Sequence, residues 1–155
     1  MSADAKFRLQ RVLELREQAE RARAVALAQA EQGAQAARDE RDALQAARER
    51  QAEALAQPGE AATSVGMLRH ARFVLEALDV RIVGAEGVVT TAESLVRRAQ
   101  DELRAAYTAK RALELLKEKH VASARQAERT ADQARMDDIA LTRFHQQGDD
   151  RPTPT

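Results

Sequence analysis

The stretch QPGEAATS, residues 57–64, is the strongest internal break in the chain and decides its fold. Pro58-Gly59 is a turn dipeptide, and proline lacks the amide hydrogen that a continuing helix would need. Thr63 and Ser64 follow, and either side chain can cap a new helix. The break therefore divides the chain into one segment of about 50 residues and one of about 80, each long enough for an extended helix.

The composition on both sides of this break is typical of long helices. Ala, Leu, Glu, Arg and Lys supply 89 of the 155 residues (34 Ala, 15 Leu, 15 Glu, 21 Arg and 4 Lys), so more than half of the chain consists of strong helix formers. Aromatic residues make up only 3% and there are six glycines. This is too little bulk for an ordinary enzyme core and too few turns for a β-sandwich or an α/β fold.

Both segments carry a seam, defined here as apolar residues at alternating steps of three and four, which is the spacing of a left-handed coiled coil. The first seam consists of Val12, Leu15, Ala19, Ala22, Ala26, Ala30, Gly33, Ala37, Leu44, Ala47 and Leu55, with Glu40 and Gln51 as interruptions. The second consists of Ala71, Leu75, Leu78, Ile82, Ala85, Val89, Ala92, Val96, Ala99, Leu103, Ala106, Leu113, Leu116, Ala124, Ala127, Ala131, Ala134 and Leu141, with Lys110, His120 and Asp138 as interruptions. These seams predict an all-α protein of two long helices.

A short connection makes the two helices antiparallel. The sequence predicts helix 1 at about 7–56, a turn at 57–64 and a longer helix 2 at about 65–145, together forming one coiled-coil rod over 1–146 with a disordered tail at 147–155. Folding about residue 60 levels Phe7 with about Glu114. It also brings Gly33 near Gly87, and Ala36 and Ala37 near Gly84 and Ala85, which predicts a narrow seam of small residues. Helix 2 then extends beyond residue 115 without a partner.

One segment has conflicting local preferences. Val80 to Thr91 is rich in β-branched residues and contains Gly84 and Gly87, so propensity alone favours a hairpin. The second seam continues through it in phase, which favours a helix with a soft point or a kink near the two glycines.

The face of helix 2 opposite its seam carries a second apolar stripe. Phe73, Ala77, Val80 and Gly84 follow one another at steps of four, three and four, so they share one helix face. An exposed apolar stripe on a thin rod indicates a docking site. Two alternatives stay open: the stripe pairs with a second copy of the chain, or these are isolated exposed apolar residues without a role.

Charge and motifs exclude several function classes. There are 25 basic and 25 acidic residues, so the basic excess typical of nucleic-acid binding is missing. There is no cysteine, and neither a His-Glu-x-x-His nor a di-iron Glu-x-x-His spacing occurs. No phosphate-binding glycine loop is present either. Because two helices cannot enclose a substrate, we expect no catalytic residue, no cofactor and no metal.

Three segments together resemble a known family. They are FRLQRVLELRE at 7–17, KRALELLKEK at 110–119 and MDDIALTRF at 136–144. The first resembles the opening of the flagellar export protein FliJ and of its injectisome relatives, the YscO-type stalk proteins. The second and third are similar to the late basic-leucine segment and to the acidic, aliphatic, arginine ending of that family.

This resemblance implies a non-catalytic, cytoplasmic stalk of a flagellar type III export apparatus. In such proteins the end of the rod that bears both termini inserts into the hexameric export ATPase and promotes its assembly and activity. Here that contact implies the helix from Leu115 to Phe144, with Leu115, Ile139 and Arg143 as contact residues. The rod also contacts export chaperones and the export gate protein in the membrane, which is the only link to the membrane that we expect. The gate contact of the family corresponds to Phe73, Ala77, Val80 and Gly84.

Two alternative functions remain. A generic coiled-coil scaffold that self-associates has the same composition, and the equivalent stalk of a virulence injectisome has a similar sequence plan. A membrane-surface helix is disfavoured, because neither segment combines a basic polar face with a bulky apolar one.

Overall fold

The computed structural model describes residues 7–57 and 64–149. Two α-helices make up this part of the chain: α1 runs Gln10–Ala56 (47 residues) and α2 runs Val65–Asp149 (85 residues). No strand occurs within these two ranges, which confirms the all-α class and the longer second helix. The end of α2 includes the first three residues of the predicted tail. Residues 150–155 of that tail and most of the predicted turn lie outside the described residues.

A serine cap begins α2. The Ser64 hydroxyl accepts a hydrogen bond from the Met67 amide (3.2 Å), and the Leu68 amide donates to the Ser64 carbonyl. This is the N-cap arrangement, in which a side-chain oxygen satisfies an amide that has no partner within the helix. Of the two predicted caps the structure assigns Ser64; Thr63 lies outside the described residues.

The β-branched segment of α2 is helical throughout. The hydroxyls of Thr90 and Thr91 donate to the carbonyls of Glu86 and Gly87, each at 3.0 Å. Such bonds to the carbonyl four residues earlier satisfy the hydroxyl inside a helix. The predicted helix is therefore confirmed over Val80 to Thr91, although β propensity is high there.

Contacts divide the chain into two compact units. The terminal unit comprises Met1–Arg16 and Ala109–Thr155, and the central unit comprises Glu17–Thr108. Each unit contains part of α1 and part of α2. The assignment of residues 1–146 to a single rod stays a prediction.

In the central unit α1 and α2 pack antiparallel. Three ion pairs join them: Arg48 with Asp79, Arg38 with Glu93 at 3.0 Å, and Arg23 with Glu102 at 2.7 Å. From one ion pair to the next, the α1 residue lies earlier in the chain while its α2 partner lies later, which is the order expected of antiparallel helices. The core of the unit consists of the buried side chains of Ala34, Ala37, Leu44, Ala71, Val89 and Ala99, four of which are alanines.

The predicted register between the helices was wrong by several residues. Folding about residue 60 would place Arg48 level with Phe73 and Arg23 level with Arg98, yet they bind Asp79 and Glu102. The reason lies at the start of α2, where every residue from Val65 to His70 is exposed and Ala71 is the first buried one. The first turns of α2 therefore precede the helix pair, whereas the prediction assumed that both helices begin to pack at the turn.

The seam of α2 is confirmed from Ala71 to Leu113, because every predicted apolar member in that interval is buried or half-buried. The next predicted member, Leu116, is exposed, and Lys117 is half-buried in its place. The strict alternation of steps of four and three leads from Leu113 to Lys117. A lysine can occupy this seam position because its stem covers apolar surface while its charge remains in water.

The seam of α1 was predicted correctly from Ala37 onward and at the half-buried Ala26 and Ala30, but its other members before Ala37 were out of phase. Five predicted members are exposed: Val12, Leu15, Ala19, Ala22 and Gly33. The structure instead buries Leu13 and Ala34, which are 3% and 1% exposed, and half-buries Leu27. The error is one residue, or about 100° around the helix. Alanine occurs on every face of α1, so alanine spacing does not define the phase.

The predicted close approach of glycines was also wrong. Gly33, Gly84 and Gly87 are exposed, and a Cβ built at any of them has nothing within 4 Å. The small residues that do pack between the helices include Ala34 and Ala37. None of the described glycines has a positive φ, so no backbone conformation in this region requires glycine.

The terminal unit has a small packed part and a long exposed helix. Leu13 is its buried residue, and the Phe7 ring lies 5.8 Å from the His120 ring, centroid to centroid, at 49°. Phe7 was predicted to lie level with Glu114, six residues earlier. From Val121 to His145 every residue is exposed except the half-buried Ala124. This agrees with the expectation of an unpartnered end of α2.

Candidate partner-binding surfaces

The four residues of the predicted outward stripe lie on one exposed face of α2, inside the central unit. Phe73 is 68% and Val80 73% exposed, Ala77 is exposed, and Gly84 adds an open gap in which a Cβ would touch nothing. Exposure of this degree leaves a phenyl ring and an isopropyl group in water, which costs free energy that a docking partner would recover. The predicted exposure is confirmed; binding of a partner stays a prediction.

The exposed stripe is part of a larger surface that sequence reasoning missed. We call it the uncharged face of α2; its members are Phe73, Ala77, Val80, Val83, Gly84, Gly87, Thr90, Thr91 and Ser94, all exposed. From Ala77 to Ser94 no outward position carries a charge, whereas outward positions of a solvated coiled coil are usually charged. The sequence carries this signal as the absence of charge at outward positions, which the spacing of apolar residues alone does not reveal.

Two of the charged residues beside this face, Asp79 and Glu93, bind α1, whereas Arg81 and Glu86 beside it are exposed. Asp79 binds Arg48 and Glu93 binds Arg38, so both acids are used within the helix pair. The hydrogen bond and the charge of Asp79 raise the pKa of Arg48 above its ordinary value. The Arg48 guanidinium is therefore favoured in its charged form beside Asp79.

The other predicted contact residues lie in the terminal unit. Leu115 and Ile139 are 43% and 47% exposed, and Arg143 is exposed. Met136, Ile139 and Arg143 follow at steps of three and four, so they share one face. Leu115 precedes Ile139 by 24 residues, or about 36 Å of helix. The structure thus brings Ile139 and Arg143 together on one helix surface and leaves Leu115 as a separate position.

A charged cluster lies in the same unit, next to Leu115. Arg111 donates to Glu114 at 3.2 Å and to Glu118 at 3.1 Å, and the Lys110 ammonium lies 3.9 Å from Glu114. The hydrogen bonds that Arg111 donates to Glu114 and Glu118 raise the pKa of Arg111 above its ordinary value. These contacts join neighbouring turns of one helix, so the cluster stiffens α2 locally and has no catalytic arrangement.

An open groove of about 750 Å³ runs along the helix pair in the central unit. Leu27, Leu103 and Tyr107 form its apolar part, and Arg21, Gln100 and Arg104 are among the polar residues at its edge. The sequence analysis expected no enclosed substrate site, and this groove is a surface depression between two helices. It singles out Tyr107, an exposed aromatic residue that the sequence analysis did not name as a site residue.

Residues 7–57 and 64–149 contain neither a cluster of metal ligands nor a membrane-spanning stretch. No group of three or more His, Cys, Asp or Glu side chains in these ranges is arranged to hold a metal ion. Neither α1 nor α2, as far as the structure describes them, contains an apolar stretch long enough to cross a bilayer.

The fold and these surfaces define a class of two-helix proteins that present exposed helix faces. The model of the family described as Flagellar FliJ protein matches residues 5–149. Because this match covers most of the chain, the protein belongs to the FliJ family. No curated protein and no solved structure matches the chain.

Proposed function

We propose that this protein is a non-catalytic stalk of a flagellar type III protein export apparatus, located in the cytoplasm at the inner face of that apparatus. Family membership supports a role in flagellar export. In this proposal the protein binds the hexameric export ATPase, promotes its assembly and activity, and connects it with the export gate and with export chaperones. The proposed mechanism is mechanical and allosteric. A stiff rod that occupies a six-fold ring unevenly favours the closure of one ATPase subunit interface on its nucleotide over the others.

The observation that carries the proposal is the exposed end of α2. Between Val121 and His145 only Ala124 is even half-buried, although Met136, Ile139, Leu141 and Phe144 are large apolar residues. A single helix with little buried area is marginal in water, because helix stability in proteins comes mostly from tertiary packing. A ring that surrounds the helix would supply that packing on all sides.

Titration of the purified protein into the cognate export ATPase tests this proposal. We expect ATP hydrolysis to rise with added protein, and light scattering to show more hexamer. The double variant Ile139→Asp and Arg143→Glu should lose most of this stimulation, because it introduces an apolar-to-acidic change and a charge reversal on one exposed surface. Its helical circular dichroism signal should stay unchanged, since both side chains are exposed.

The matched control is Val25→Asp, an equally drastic change at an exposed valine of α1. We expect it to stimulate the ATPase like the unmodified protein. Absence of any stimulation by the unmodified protein contradicts the stalk proposal. Equal loss in Val25→Asp and in the double variant contradicts the assignment of the contact to the end of α2.

For the export gate we propose a separate contact through Phe73, Ala77, Val80 and Gly84. The exposed ring of Phe73 and the open gap at Gly84 support it, because a partner could pack on the ring at one end of the stripe and place a side chain in the gap at the other end. Phe73→Asp should abolish binding to the isolated gate domain and leave helicity intact. Loss of helicity in this variant would instead assign Phe73 to the core.

A further inference from the structure

Two depressions follow one another along one flank of the helix pair in the central unit. The open groove described above holds about 750 Å³, and a second depression holds about 580 Å³. On α1, Ala24 lines the first and Ala28 the second; on α2, Gln100 lines the first and Val96 the second. Each pair is four residues apart and therefore shares a helix face. We call the two depressions together the flank groove; along α1 it spans residues 20–38, or about 27 Å, the length of a helix of five turns.

The floor of the flank groove consists of apolar side chains whose burial is incomplete. Leu27, Val96 and Leu103 line it, and all three are only half-buried. Two helices cover such side chains from one side, so the groove side stays in water until a third helix packs on it. Covering apolar surface lowers the free energy, and an amphipathic helix in an apolar groove is a recurring mode of recognition. The shape and the floor therefore fit the apolar stripe of an additional helix.

One end of the flank groove, the tyrosine end, has the residue types that contribute most to binding at protein interfaces. Tyr107, the single tyrosine of the chain, is 51% exposed there, with Arg21 of α1 and Arg104 of α2. Tyrosine and arginine are enriched among the residues that dominate binding energy. Arg104 contacts only the exposed Asp101 of its own helix, at 3.5 Å, and Arg21 has no ion pair within the described part of the chain. Both guanidinium groups are therefore available to a carboxylate of a partner.

Charge differs between the two ends of the flank groove and selects a direction. At the tyrosine end the two arginines outnumber Glu20, which has a contact of its own. The other end carries the exposed Glu31, beside the ion pair of Arg38 with Glu93. Because a helix is partially positive at its N-terminus and partially negative at its C-terminus, these charges favour a helix whose C-terminal end lies at the tyrosine end. Such a helix runs antiparallel to α1.

We propose that an amphipathic helix of another protein docks in the flank groove, antiparallel to α1. Its apolar residues, at steps of three and four, pack on the half-buried floor, and carboxylates in its last turn bind Arg21 and Arg104. This surface shares no residue with the contacts proposed for the export ATPase and the export gate, so the proposal does not depend on the stalk role.

Two synthetic peptides test the proposal. Both are about 18 residues long and carry leucines at steps of three and four; the first has two glutamates in its last turn, and the second has them in its first turn. The second peptide is the better helix former by itself, because acidic side chains stabilise a helix N-terminus. In anisotropy titrations with the full chain we nevertheless expect the first peptide to bind about fivefold more tightly. Equal binding of the two peptides, or no saturable binding of the first, overturns the proposal.

Charge reversal at the tyrosine end tests the two arginines. Arg21→Glu together with Arg104→Glu should weaken binding of the first peptide about tenfold, because each change places a like charge opposite its glutamates. The matched control is Arg50→Glu together with Arg98→Glu, which changes the net charge equally at two exposed arginines outside the groove, one on each helix. We expect the control to bind like the unmodified protein and both variants to keep their helical circular dichroism signal. Equal weakening in the two variants assigns the effect to net charge and overturns the proposed contact.

Tyr107 reports independently where the peptide binds. The chain has one tyrosine and no tryptophan, so with unlabelled peptides that contain neither residue the tyrosine fluorescence of the complex comes from Tyr107. A helix in the flank groove covers the exposed phenol, and we expect acrylamide quenching of this fluorescence to fall as the first peptide saturates the protein. Unchanged quenching at saturation places the peptide elsewhere on the chain and overturns the proposal.

Sedimentation equilibrium without peptide tests the other possible occupant, a second copy of the chain. We expect association, if any, to be the same for the unmodified protein and for the variant with Arg21→Glu and Arg104→Glu. Dimers that this variant abolishes and the control variant retains would assign the flank groove to a second copy, which overturns the proposal.

Discussion

Two stretches of α2 have the same alanine spacing but opposite burial. Between Ala71 and Leu113 every predicted apolar seam position is buried or half-buried, and α1 supplies ion pairs along the first part of this stretch. Between Val121 and His145 the same three-and-four spacing continues through Ala127, Ala131 and Ala134, and all three are exposed. A seam in the sequence therefore indicates which face of a helix can be buried. Whether that face is buried depends on the presence of a second helix that packs against it.

This difference distinguishes alanines that pack against α1 from alanines that are exposed and could contact a partner molecule. In the first stretch a small side chain permits the close approach of α1, so its size is constrained. In the second stretch size is unconstrained by the chain itself, and any constraint has to come from a partner molecule. Identical substitutions in the two stretches test whether side-chain size is constrained in the first and unconstrained in the second.

The largest effect is expected for glutamate in the first stretch. Ala99→Glu places a long charged side chain at a buried seam position, and the combined overpacking and burial of charge should lower the free energy of unfolding by about 3 kcal/mol. Ala127→Glu makes the same change at an exposed seam position and should stay within about 0.5 kcal/mol of the unmodified protein. Urea unfolding followed by circular dichroism at 222 nm measures both. Equal destabilisation would mean that Ala127 is packed in solution.

An intermediate effect of opposite sign is expected at a glycine. Gly33→Ala should stabilise the protein by about 1 kcal/mol, because alanine is the better helix former and the added methyl group meets nothing within 4 Å. The close approach predicted from the sequence would have made this change destabilising. Thermal unfolding of Gly33→Ala beside Ala34→Gly, at the neighbouring buried position, distinguishes the two: the first should raise the midpoint and the second lower it.

The sequence was sufficient for the class of fold and for one of the two seams. The Pro58-Gly59 break and the helix-forming composition predicted two unequal antiparallel helices, and the Leu, Ile and Val residues of α2 fixed the phase of its seam through Leu113. The α1 seam could not be phased in the same way, because between Leu15 and Leu44 the large apolar residues are only Val25 and Leu27. Alanine is compatible with both the buried and the exposed face, so counting it gave a stripe one residue out of phase.

The register and the full docking surface required the structure. A turn of six to eight residues does not determine which turn of α2 first meets α1, and the burial of Ala71 after six exposed residues supplies that information. The predicted stripe at Phe73, Ala77, Val80 and Gly84 is exposed as expected. Its extension to Ser94 became evident only when the charged residues beside it, Asp79 and Glu93, were found bound to α1.

The smallest expected effect concerns the ion pairs that mark the packed stretch. Arg23 and Glu102 lie 2.7 Å apart, but both side chains are about half exposed, 52% and 42%. Water and salt screen such a pair, so Glu102→Gln should cost about 0.5 kcal/mol or less at low ionic strength and nothing measurable near 1 M salt. Urea unfolding at two salt concentrations measures this, with Glu128→Gln in the exposed stretch as the control. A cost for Glu102→Gln that persisted in high salt would show that the packed stretch depends on its ion pairs as well as on its alanine seam.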